Sequence, residues 1–302
     1  MAVRANLRIL VSGASGFIGT ELVHQLEADG HTVLRLVRSK PKSPSEVHWS
    51  PSTGDLDATV LGTVDAVINL SGASTGRVPW TKAYRKEILD SRVATTRTLA
   101  GAISAATHPP TVFLSGSAIG YYGDRPGERL TEQSAKGSGF FPDVVGAWEA
   151  AAQGVPKGTR VVTFRTGVVV GRGGAFTPLI PLTRFGLGSR FGNGRQNWSW
   201  ISLYDEAAAI RHLLTSKLNG PVNLTGPTPA TADQVTSSLA KRMRRPYIFR
   251  IPAWVITTLL GDAGRDLLLT DQNVAPVRLT ADGFEFRHPT LDSAIDAMLA
   301  RP

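Results

Sequence analysis

The chain has 302 residues, of which 42% are hydrophobic, and carries a formal net charge of +9. It contains no cysteine, which excludes disulfides and thiol catalysis, and no Cys/His cluster points to a metal. No run approaches the ~18 apolar residues of a membrane span, and residues 1–10 lead into a strand pattern without a signal peptide, so a cytoplasmic protein is expected.

Leu7-Arg8-Ile9-Leu10-Val11 reads as a buried strand that stops at glycine. Ile18, Leu22, Val23 and Leu26 then recur at helical spacing, and Gly30 stands where a helix C-terminus favours it. Gly13, Gly16 and Gly19 therefore occupy a strand-to-helix turn, the setting of a dinucleotide fingerprint. Gly13 permits the tight turn, Gly16 lets a pyrophosphate approach the backbone, and Gly19 allows close helix–strand packing. Ser15, Phe17 and Ile18 fill the same turn, and the helix N-terminus offers free N–H groups to phosphate. The spacing is G-x-x-G-x-x-G, with G-F-I-G at its end, and resembles the extended short-chain dehydrogenases/reductases.

Residues 31–38 predict the second strand. An acidic residue about 20 positions past the glycines reads the ribose 2′-hydroxyl of NAD; Arg38 stands there instead, followed by Ser39 and Lys40. A guanidinium suits a 2′-phosphate, which favours NADPH over NADH. Residues 43–57 read as loop and turn. Residues 64–70 form another buried strand, ending in Ser71-Gly72-Ala73, and its carboxyl end belongs beside the cofactor. A long helix is predicted over 80–106, a strand over 111–114, a helix over 143–152 and one strand over 160–170. Residues 171–199 look like a long glycine-rich loop, which at that length is usually functional. Helices over 202–216 and 231–243 flank a short strand at 222–224.

Alternating strands and helices predict an α/β fold: a Rossmann-type doubly wound parallel sheet with a small, C-terminally weighted substrate lobe. Residues 1–170 form the nucleotide domain, 202–225 return to it, and 171–201 with 226–302 make the lobe. The basic residues are scattered except at 35–42 and 241–245, and no aromatic platform is interleaved with them. The expected partner is a small-molecule substrate rather than nucleic acid or membrane, with a homodimer as the superfamily's common state.

The sequence resembles the atypical extended short-chain dehydrogenases known as an epimerase family, or as nucleoside-diphosphate-sugar epimerases. The resemblance covers nearly the whole chain. It rests on Gly13 to Gly19, Asn69-Leu70-Ser71-Gly72, Ser91-Arg92, Ser117-Ala118-Ile119-Gly120-Tyr121-Tyr122-Gly123, Trp148-Glu149, Gly167-Val168-Val169-Val170-Gly171, Trp200-Ile201-Ser202, Asn223-Leu224-Thr225-Gly226-Pro227 and Gly283-Phe284-Glu285-Phe286. It implies an NADP(H) cofactor held around the glycine turn, Val37-Arg38-Ser39, Leu70-Ser71-Gly72, Glu87, Arg92 and Val169. A cation at Arg92 could reach a phosphate; Glu87, on charge alone, reads as a solvated face.

Hydride-transfer members of the superfamily use a serine and a Tyr-x-x-x-Lys pair. Ser117 follows a strand end, placed to hydrogen-bond a substrate carbonyl. The helix that should carry the pair reads Asp143-Val144-Val145-Gly146-Ala147-Trp148-Glu149, without tyrosine or lysine. Three readings stay open: Tyr121 or Tyr122 gives the proton, Glu149 acts as a buried acid, or the protein binds the cofactor with vestigial catalysis as a redox sensor or scaffold. Arg165 could meet a substrate anion or a carboxylate. Residues 193–200, with Trp198 and Trp200, could line a sugar or nucleotide pocket or form a lid packed on the core. The six histidines share no motif.

Overall fold

The computed structural model describes residues 6–300; the start of the N-terminal lead, residues 1–5, lies outside them. Seven parallel strands form the central sheet: β1 (Arg8–Ser12), β2 (Thr32–Val37), β3 (Glu46–His48), β4 (Ala66–Asn69), β5 (Val112–Ala118), β6 (Arg160–Thr166) and β7 (Gly220–Leu224). Their spatial order is β3-β2-β1-β4-β5-β6-β7. The order reverses between β1 and β4, which creates a crevice at their carboxyl ends. Ser12 is level with Leu36 and Asn69, Asn69 with Ser115, and Ser117 with Arg165, so the strand ends share one edge.

Side-chain alternation along each strand divides the core into two layers. Ile9, Val11, Ile68 and Leu114 face helices α1 (Phe17–Ala28) and, later in the chain, Leu203–Thr215, meeting Leu22, Leu26, Ile210 and Leu213. Leu10, Val67 and Phe113 face the opposite side, against Leu99 and Ile103 of α2 (Lys82–Ala105). Both faces of the sheet are covered, which is why these strands read as continuous apolar runs. Helix α3 (Phe140–Ala151) packs beside α2 and lays Trp148 against Gly116.

Three elements differ from the sequence reading. The expected loop at 43–57 contains β3, an edge strand of three residues whose register runs Arg35 with Glu46 and Val37 with His48. The single strand expected over 160–170 breaks at Gly167, where a Cβ would collide with the Ser199 carbonyl; Val168–Val170 leaves the sheet and pairs with Trp200–Ser202. The long loop holds helix α4 (Phe176–Arg184), with Pro181 inside it, and a strand, Ser189–Phe191, paired with Phe249–Ile251.

Trp198 and Trp200 are buried in a third apolar cluster with Phe176, Phe191, Val235 and Ile256, so their rings pack into a core rather than standing open to solvent. The lobe is tied back to the glycine turn by Phe17. A Cβ added at Gly171 or Gly173 would lie 2.6 or 2.5 Å from its ring, so this loop closes over Phe17 only because both positions lack side chains. Helix α5 (Leu203–Thr215) returns the chain to the sheet, capped by the Ser202 side chain. Helices α6 (Ala232–Arg242), α7 (Ala253–Gly264) and α8 (Leu291–Ala300) complete the lobe.

Candidate active site

The first part of the site is the β1–α1 turn. Gly13 adopts φ +71°, and a Cβ there would lie 2.8 Å from the Leu70 carbonyl carbon, so the turn packs backbone to backbone on the end of β4. A Cβ at Gly19 would collide with the Gly13 carbonyl oxygen. The helix starts at Gly16 without a side-chain cap and without an acid in its first turn, which leaves its positive end uncompensated. Replacing Gly19 by alanine should therefore push the turn away from α1. We expect a loss of about 1–3 kcal/mol of stability, as for overpacked cores, together with loss of dinucleotide binding in a titration. Unchanged binding would show that the turn is not where the ligand sits.

Asn69 organises the next loop. Its Oδ1 accepts from Ser12 Oγ (2.6 Å) and the Ser71 N–H (3.2 Å), and its Nδ2 donates to Thr96 Oγ1 (2.9 Å). The Ala73 N–H donates to Ser91 Oγ (3.0 Å), which stitches residues 69–73 onto α2. Arg92 lies behind Gly72 with its guanidinium 5.2 Å from the Trp148 ring centroid, and it donates to the Ile88 carbonyl (3.0 Å). Desolvation pushes its pKa down to about 10, with Tyr84 pulling weakly the other way. An anion placed here would be stabilised at once.

Val37 is half-buried at the end of β2, while Arg38, Ser39 and Lys40 beyond it are exposed. Arg38 makes no hydrogen bond or ion pair among the described residues. Leu70 and Ser71 are half-buried, Gly72 is exposed, and Val169 is buried just past the break at Gly167. Glu87 is exposed on α2, on the solvated face that its charge alone suggests.

The second part of the site is a polar chain running under the β5 and β6 ends. Ser117 Oγ donates to Glu149 Oε1 (2.6 Å), and Arg165 grips Glu149 bidentately at 2.7 and 2.9 Å. Arg165 Nη1 also donates to the Tyr122 hydroxyl (2.9 Å), which donates to Asn223 Oδ1 (2.7 Å). The Asn223 N–H donates to Glu132 (3.1 Å). Burial alone would depress the Arg165 guanidinium, but Glu149 and Tyr122 outweigh it and hold it above the ordinary arginine range.

This geometry corrects two of the catalytic expectations. Tyr122 is fully buried, and burial, only partly countered by Arg165, pushes its hydroxyl up from the usual tyrosine range. Its hydroxyl is enclosed between Arg165 and Asn223, and the structure does not present it to the crevice as a proton donor. Both Glu149 oxygens are engaged by Arg165, and one also takes the Ser117 hydroxyl, so the carboxyl group is held by its neighbours rather than turned towards a substrate. The Ser117 proton points at Glu149 rather than into the crevice. Tyr121 is different: it is half-buried, its ring lies 3.5 Å beneath the Arg165 guanidinium, and its hydroxyl makes no hydrogen bond among the described residues. Asn223 and Glu132 were not singled out as functional residues; their contacts across 101 and 91 positions leave no local pattern.

A doubly wound sheet with a glycine turn at its switch point defines a dinucleotide-binding protein of the Rossmann class. The chain belongs to the NAD dependent epimerase/dehydratase family, whose profile matches residues 9–225. A second profile, a domain of unknown function (DUF1731), matches residues 251–298. The chain is 37% identical over 301 residues to the epimerase family protein MT2273 of Mycobacterium tuberculosis, across 99% of both chains. It is 34% identical over 299 residues to the human epimerase family protein SDR39U1, across 97% of this chain and 100% of the other. The crystal structure of human SDR39U1 (isoform 2) with NADPH matches it with a TM-score of 0.91 at 33% identity, over 98% of this chain and 100% of that one.

Proposed function

We propose that the protein binds NADP(H) and acts as an epimerase-like oxidoreductase on a carbonyl group of a small molecule. The observation that carries the cofactor is the end of β2, where Arg38 stands exposed and unpartnered and Ser39 and Lys40 follow it in place of a carboxylate. The solved structure of a relative with NADPH supports the same reading. The glycine turn would take the pyrophosphate on the N–H groups of α1, Arg38 the 2′-phosphate, and Arg92 a further anionic oxygen. Leu70 to Gly72 and Val169 would flank the ring system. When bound, the cofactor supplies or accepts a hydride.

The chain's own contribution to chemistry is narrow. Tyr121 is the one tyrosine of the candidate set whose hydroxyl makes no hydrogen bond among the described residues, and the Arg165 guanidinium over its ring fixes the ring's position. Ser117 can orient a substrate hydroxyl by accepting its hydrogen bond, or a substrate carbonyl by turning its own proton away from Glu149. The rival reading, cofactor binding with vestigial catalysis, is favoured by the same cluster, because Glu149, Arg165 and Tyr122 are all consumed in mutual bonds.

A thermal-shift titration with NADPH, NADP⁺, NADH and NAD⁺ tests the cofactor. A ligand at ~100 times its dissociation constant adds ~2.7 kcal/mol to the folded state, and the phosphorylated pair should stabilise selectively. Arg38→Ser should weaken NADPH roughly 10- to 100-fold, the worth of one or two hydrogen bonds to a charged group, and leave NADH unchanged. Equal responses to NADPH and NADH would sink the role of Arg38. In a carbonyl-reduction screen, loss of turnover in Tyr121→Phe would favour the enzyme over the sensor.

A further inference from the structure

The basic run at 241–245 takes no part in the site. It closes α6, and Arg244, at φ +54°, turns the chain towards Pro246. The strand Phe249–Ile251 sets Phe249 opposite Ser189, which brings the turn after α4 alongside residues 246–248. A Cβ at Gly188 would lie 3.6 Å from the Tyr247 ring, and one at Gly186 would lie 3.8 Å from Pro246. Two turn tips thus stand side by side. From them Leu182, Phe185, Leu187, Ile248 and Phe249 are exposed, Phe185 and Ile248 each to 78%.

Single exposed apolar residues are ordinary, but five adjoining ones on two tips form a patch. The unpaired charges beside it have one sign. Arg184, Lys241, Arg244 and Arg245 are exposed and have no carboxylate partner among the described residues. Neighbouring Arg190 and Arg242 are already paired, with Asp233 and with Asp292 and Asp296. No Asp or Glu occurs from 171 to 204 or from 234 to 261.

We propose that this face docks on an anionic phospholipid bilayer. Phe185, Leu187 and Ile248 enter the boundary between headgroups and acyl chains, and Arg184, Lys241, Arg244 and Arg245 meet the lipid phosphates. Protruding apolar residues ringed by unpaired cations suit an interface that is soft and negatively charged. A second copy of the chain is a poor occupant, because two-fold pairing would oppose the unpaired cations while the neighbouring carboxylates are already taken by Arg190 and Arg242. No helix among the described residues is long and apolar enough to cross a membrane.

Co-sedimentation of the full chain with vesicles tests this. Binding is expected to vesicles of phosphatidylcholine mixed with phosphatidylglycerol, not to phosphatidylcholine alone, and it should weaken as salt screens the charges. Arg244→Ser/Arg245→Ser should lower partitioning by about fivefold per basic residue removed, roughly 25-fold for the pair. Phe185→Ser/Ile248→Ser should abolish the salt-resistant part. All four positions are exposed, and either pair alone decides the matter if the other fails to fold. Equal binding to both vesicle types, or variants that bind like the parent, overturns the proposal. So does a dimer in sedimentation velocity that Phe185→Ser/Ile248→Ser splits, which would assign the face to a second copy.

Discussion

Replacing Arg165 by leucine is expected to cost about 3–5 kcal/mol of folding stability, the usual penalty for removing one partner of a buried ion pair. The side chain is 3% exposed, and it satisfies both oxygens of Glu149 and the hydroxyl of Tyr122 together. Leucine leaves the Glu149 carboxylate desolvated beside β6 with only the Ser117 proton for company. The loss therefore comes from a stranded charge more than from a missing attraction. Arg165→Leu combined with Glu149→Leu removes both charges, and its loss should be smaller than the sum of the single changes. Urea unfolding of the two single variants and the double variant measures the coupling. An Arg165→Leu protein within about 1 kcal/mol of the parent would contradict the buried pair as the centre of the site.

The second large effect concerns Glu206, on the first turn of α5. Its side chain is wholly buried, Thr166 Oγ1 donates to Oε1 at 2.6 Å, and Oε2 has no partner. Desolvation pushes its pKa from 4.5 to about 8, with Thr166 pulling weakly the other way. The folded chain therefore holds a proton that the unfolded chain releases above pH 4.5. The contribution to stability is complete below the unfolded value and declines as pH rises towards 8, after which it levels. The slope can reach about 1.4 kcal/mol per pH unit, so the decline is of order a few kcal/mol. Glu206→Gln keeps the shape of the protonated acid and should flatten this decline, leaving the variant more stable than the parent at pH 8. Denaturant titrations across that range, run on both proteins, decide it. Parallel slopes would mean that Glu206 is not the group responsible.

The sheet was legible because its strands are buried on both faces. The runs at 7–11, 64–70 and 111–114 needed no partner to be recognised, and the glycine turn carried its own spacing. What escaped depended on contacts between distant segments. Strand β3 has only three residues at the sheet edge, and its half-buried pattern gives no apolar run. Helix α4 is disguised by Pro178 and Pro181, and the break at Gly167 is set by the carbonyl of Ser199, which arrives from another part of the lobe. The site shows the same division. Most of the positions expected to hold the cofactor lie at strand ends, where topology places them, whereas the Ser117–Glu149–Arg165 cluster joins residues 16 and 32 apart. Each of them could be read alone; the hydrogen bonds by which they saturate one another could not.

Phe17 belongs to the nucleotide turn, yet its ring is enclosed by Gly171 and Gly173 at the entrance to the lobe. A dinucleotide that tightens the turn must therefore also tighten the lobe's first loop, which amide hydrogen exchange at 171–174 with and without NADPH would register as added protection. Linkage then runs both ways. Whatever occupies the lobe and holds that loop down raises the affinity for dinucleotide by the same factor, and whatever pries the loop open ejects it. The two ligands would be read by one aromatic ring.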